Sequence, residues 1–109
     1  MTIYNVAAEI KEQLGRTTLL LLGAKDLGAG VHKVDGVEMP FLGFKIRGSK
    51  RVNYIRIILD GGRDLYNVQF IRYSAAAINT VSEFEGIEAG ALHELIEAET
   101  GLYTYFKVR

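Results

Sequence analysis

The chain contains no cysteine. That excludes a disulfide framework, thiolate catalysis and any cysteine-ligated metal site, and makes a reducing, cytoplasmic setting the expectation. Net charge is absent too, because thirteen basic side chains balance thirteen acidic ones, whereas proteins that coat polyanions usually run basic. No apolar run exceeds the four residues of Leu19 to Leu22, far short of the ~20 of a membrane-spanning helix. The opening MTIYNVAAEIKEQL spreads its charges instead of placing them before an apolar run, so no signal peptide is expected. Proline occurs once, at Pro40, and histidine twice, at His32 and His93. With so few imidazoles, no Ser-His-Asp arrangement or nucleophile elbow can be assembled.

What is present centres on Val52 to Tyr73, VNYIRIILDGGRDLYNVQFIRY. Two period-2 runs flank the turn-rich DGGRD, the sequence form of a β-hairpin with a loop of about five residues. Ile55, Ile57 and Leu59 fall on one side of the first strand, with Val52, Tyr54, Arg56 and Ile58 on the other. Tyr66, Val68 and Phe70 alternate with Asn67 and Gln69 on the second, so one face is apolar and the other wetted.

Around this hairpin the chain reads as one α+β domain over its 109 residues. Thr2 is placed to cap a helix that buries Ile3, Val6, Ala7, Ile10 and Leu14 and ends at Gly15. Thr17 to Leu22 suits either a short buried strand or a short helix or turn closed by Gly23, and periodicity does not decide between them, the helix or turn being preferred. Leu27 to Lys33 suits a short, glycine-weakened strand, followed by a tight turn at VDGV. Pro40 then opens a strand in which Leu42, Phe44 and Ile46 point one way. Beyond Tyr73 the period changes to that of helices. Ser74 to Glu83 is predicted as one, with Ala77, Ile78 and Val81 inward. Glu88 to Thr100 is predicted as another, burying Ala91, Leu92, Leu95 and Ile96, exposing Glu94, Glu97 and Glu99, and stopping at Gly101. The expected architecture is thus an N-terminal helix, an antiparallel meander of three to four strands, and two C-terminal helices packed on one sheet face.

The segments GAKD at Gly23 to Asp26, FKI at Phe44 to Ile46, VNYIRIILDGGRDLYNVQF at Val52 to Phe70 and EFEGIEAGALHELIEAETGLYT at Glu83 to Thr104 together resemble a group of short uncharacterised proteins encoded by bacteriophages, prophages and other mobile elements. The resemblance spans nearly the whole chain. It implies a small cytosolic mobile-element protein, and it implies no chemistry and no functional residues.

Charge is unevenly distributed. Met39 to Leu59 holds five basic residues and no acid, while Ser82 to Thr100 holds six glutamates and no Lys or Arg. The outer sheet face is expected to present Lys45, Arg47, Tyr54, Arg56, Asn67, Gln69 and Tyr73, with Lys50 and Arg51 in the adjoining loop. Cations that neutralise phosphates beside rings that stack on bases are what single-strand binders use. Tyr103, Tyr105 and Phe106 in the tail are candidates for an oligomer interface. His93 and Glu97 in HELIE share only part of the H-E-x-x-H zinc pattern. The glycines of GAKDLGAGVHKVDG match neither phosphate-loop signature. Asp60 and Asp64 lie in a hairpin loop, where they most simply shape the turn. The favoured reading is a non-catalytic protein acting by macromolecular binding, with a protein or a second copy of the chain as partner. Single-stranded nucleic-acid binding competes with it, and a metal-dependent hydrolase is a third reading. No cofactor and no membrane association are implied.

Overall fold

A computed structural model of the chain describes residues 3 to 105, and for Ile3 and Tyr4 the backbone alone. Thr2, Phe106 and the side chain of Ile3 therefore lie outside the described residues. The element order is α1 (Ile3–Leu14), α2 (Arg16–Leu21), β1 (Lys25–Val34), β2 (Val37–Lys45), β3 (Tyr54–Asp60), β4 (Leu65–Tyr73), β5 (Ile78–Ile87), a 3-10 turn (Ala89–Ala91) and α3 (Leu92–Thr100). The five strands form one antiparallel sheet in the order β1-β2-β3-β4-β5. The α+β class stands, with one strand more and one C-terminal helix fewer than the sequence suggested.

Register sorts the side chains. Leu42, Ile57, Val68 and Phe84 are successive partners across four strands, and Phe44, Ile55, Phe70 and Ser82 form the next row. These rows carry the core, closed by Val6, Ala7, Ile10 and Leu14 of α1 and by Leu92 and Ile96 of α3. Val52, expected on the outer side, instead precedes β3 and is fully buried in this core.

The missed strand is β5. Ser74, expected to cap a helix, closes a hairpin loop, its backbone N–H donating to the Ala77 carbonyl at 2.9 Å and its hydroxyl accepting from the Ala77 N–H at 3.2 Å. Three alanines favour helix locally, but β-branched Ile78, Thr80 and Val81 follow, and pairing with β4 outweighs a few tenths of a kcal/mol of propensity per residue. Pro40 is also interior to its strand. The β2–β3 ladder begins one residue later, at Phe41↔Ile58, so the missing N–H has β1 alone as a paired neighbour. The VDGV turn is as expected. Asp35 and Gly36 both take positive φ, 51° and 80°, the two-residue turn that matches the twist of its strands. In α3, Gly101 takes φ 75° and stops the helix. Ala91 lies in the 3-10 turn and is exposed.

The outer face is less wet than an alternating pattern implies. Ile58 and Ile71 are each 2% exposed, and Gln69 is 8% exposed, because large neighbours lie flat across the strands. A methyl group on Gly30 would sit 2.6 Å from the Phe41 ring, and one on Gly43 would overlap the Tyr54 hydroxyl. These two glycines are the floor on which the rings rest. Gly43→Ala is expected to lower the unfolding free energy by about 1 to 3 kcal/mol, as overpacking does. Gly28→Ala, which meets nothing within 4 Å, should be neutral or stabilising by up to about 1 kcal/mol. Urea denaturation of both variants checks this.

Candidate functional site

The outer face is organised by Arg56. Its guanidinium lies 4.7 Å from the centre of the Phe41 ring and 6.0 Å from that of Tyr54, a pair of cation–π contacts. It donates to Gln69 Oε1 at 3.3 Å, and Gln69 Nε2 donates to Glu83 Oε2 at 2.7 Å. Positive charge on β3 is thus linked to negative charge on β5 through a neutral amide. The Arg56 Nε is buried without a hydrogen-bond partner. The two rings offset part of that cost. Tyr54 meets Tyr73 edge-on with centroids 5.1 Å apart. Burial holds the Tyr54 phenol above its ordinary value, with Arg56 pulling the other way.

At the end of this face where β2 leaves the sheet, a hollow of about 370 Å³ is lined by Lys25, Lys45, Ile46, Arg47, Asn53 and Tyr73. Asn53 builds it. Its side-chain amide donates to the Tyr73 carbonyl at 2.9 Å and accepts from the Tyr73 N–H at 2.8 Å, so one side chain pairs with β4 just before β3 begins. Arg47 is anchored by its N–H, which donates to the Leu22 carbonyl at 2.9 Å. Lys25 and Lys45 are register partners on β1 and β2. Lys45 also pairs with Asp26 at 3.2 Å, with both side chains more than half exposed. Such a pair contributes little and separates readily. Among the described residues neither Lys25 nor Arg47 is in an ion pair.

Of the residues proposed from sequence, the fold brings Lys45, Arg47, Tyr54, Arg56 and Tyr73 together. It sends Lys50 and Arg51 elsewhere. Both line a groove against the end of α3, where Arg51 Nη1 donates to the Glu99 carboxylate at 3.2 Å and to the Glu99 backbone carbonyl at 3.1 Å. Lys25 was not foreseen. Its place depends on β1 reaching back to pair with Lys45, and nothing local in the sequence states that register.

Two glutamates of α3 hold structure instead of merely facing water. Glu97 Oε2 accepts from the Thr104 N–H at 2.8 Å and from its hydroxyl at 3.1 Å. Thr18 donates from α2 to the Thr104 carbonyl at 2.8 Å, so the tail is docked as far as Thr104. Tyr103 and Tyr105 are 61% and 51% exposed within it. His93 donates from Nε2 to the Leu14 carbonyl at 2.8 Å and so satisfies one of the last carbonyls of α1, which ends where Gly15 takes φ 85°. The HELIE imidazole is thereby spent on packing two helices. Among the described residues no helix is long and apolar enough to cross a membrane.

Comparison with family models, with curated proteins and with solved structures yields no match to this chain.

Glu99 supplies a pH test of the placement of Arg51. The Ser82 hydroxyl donates to Glu99 Oε1 at 2.6 Å, and this bond, followed by Arg51, holds the carboxyl below the usual 4.5. A depressed folded-state value means that the stabilisation is fully present above about pH 4.5 and is lost as pH falls through the lower, folded value. Ser82→Ala is expected to reduce stability at pH 7 and to flatten its acid dependence. Arg51→Ala should do the same to a smaller extent. Thermal melts between about pH 2 and pH 7 measure both.

Proposed function

We propose that the chain is a non-catalytic binding protein whose ligand is single-stranded nucleic acid, held at the basic end of the outer sheet face. One observation carries this reading: Lys25, Lys45 and Arg47 converge on an open hollow with Tyr73 in its wall and with Tyr54 and Arg56 on the adjoining strand. Cations at that spacing neutralise phosphates, and a ring in the wall offers a surface on which a base stacks. The formal charge of zero is no obstacle once the charges are segregated, because binding responds to the local potential. The resemblance to small mobile-element proteins is consistent with an accessory role of this kind.

A protein partner is the second reading. It is favoured by the exposed Leu27, Val31, Val34 and Val37 along the edge strand β1 and its hairpin tip, since uncovered edges with apolar side chains recruit other chains. Salt separates the two. Three phosphate contacts predict that log K falls with log salt at a slope of about −2, and an apolar contact has no such dependence.

Titration of a fluorescent oligothymidylate is expected to give that slope. Lys45→Glu with Arg47→Glu should lower affinity at least about tenfold, and Tyr73→Ala should cost about 1 to 3 kcal/mol. Lys11→Glu, on the opposite side of the molecule, should leave affinity unchanged. Binding that ignores both salt and the double charge reversal would overturn the proposal in favour of a protein partner.

A further inference from the structure

The outer face has two ends of opposite sign. Three cations ring the hollow at one end. At the other, a cleft of about 160 Å³ is lined by Asp60, Glu83 and Glu85, with Arg63 as the arginine among its lining residues. Tyr54 and Asp60 begin and end β3, about 20 Å apart along an extended strand, which is roughly two Debye lengths at physiological salt. Glu83 stands nearer, in the row of Arg56 and Gln69, and Glu85 follows two residues further along β5, so negative charge accumulates along the face away from the hollow. Among the described residues none of the three carboxylates is in an ion pair. The hydrogen bond from Gln69 to Glu83 fixes the position of one without cancelling its charge.

A chain of phosphates leaving the hollow therefore meets unlike surroundings in two directions. Along β2 and β3 it runs towards the carboxylates, where each added phosphate meets like charge. Across the strands it passes from Lys25 on β1 over Lys45 to Tyr73 on β4. Resting on the nucleic-acid reading, we infer that the acidic end sets the length of the bound strand. The nucleic acid crosses the sheet at the basic end, contacts about three phosphates, and is kept off the rest of the outer face by Asp60, Glu83 and Glu85.

The test is a series of oligothymidylates from about 2 to about 12 nucleotides, titrated on the full chain at several salt concentrations. Affinity should rise until about three phosphates are engaged and then grow only by the statistical factor for additional registers, with a salt slope staying near −2. Glu85→Lys, a change at an exposed position, should leave the shortest oligomers unaffected. The longer ones should bind more tightly, with a slope steeper by about 0.7. The inference is overturned if affinity and slope keep climbing with length in the unaltered chain, or if Glu85→Lys leaves the longer oligomers as they were. Failure of every oligomer to bind overturns the nucleic-acid reading beneath it, a result distinct from either.

Discussion

The pairing of the inner rows governs the rest of this structure. Phe44, Ile55, Ile57, Val68 and Phe70 are all fully buried. At about 1.5 to 3 kcal/mol each, their burial amounts to roughly 8 to 15 kcal/mol, comparable with the whole stability of a small domain. Because strand side chains alternate, sliding any one pairing by a residue turns its apolar set out to solvent. The slip is therefore prohibitive, and what appears on the outer face is decided by what must stay on the inner one. Tyr54, Arg56 and Tyr73 share their face because their neighbours cannot.

Within the outer face, stability and recognition are assigned to different residues. Arg56 is held between rings and hydrogen-bonded to Gln69, so its charge is largely committed to the sheet. Lys25, Lys45 and Arg47 stand exposed at the rim and keep their hydration, so displacing it for a ligand costs the fold little. The glycine floor beneath Phe41 and Tyr54 belongs to the structural group, since it lets large rings lie close to the backbone on the face opposite the one packed by α1 and α3.

The legible part of the fold was the part written in local periodicity. The central hairpin, α1, the Asp35-Gly36 turn and the Gly101 stop each have a signature within a few residues. Other features depended on contacts distant in sequence. Ala75 to Ala77 read as helix because nothing nearby announces that β4 offers an open edge. Ile58 read as wetted because alternation says which way a side chain points and not whether Phe41 and Asn67 flank it across the sheet. Of the candidate site, the residues on β2 to β4 were found by alternation. Lys25 was missed, and the turning of Lys50 and Arg51 towards α3 from the expected loop was not legible, because a strand register and a loop direction decide them.

The bond from the Thr18 hydroxyl to the Thr104 carbonyl joins residues 86 apart. Thr18 is 2% exposed, and a buried hydroxyl without an acceptor costs about 1 to 3 kcal/mol. Its acceptor belongs to a segment outside α2, so lifting that segment away would strand the hydroxyl in an apolar setting. The seating of α2 and the seating of the stretch around Thr104 are thereby coupled, and loosening either one uncovers the other.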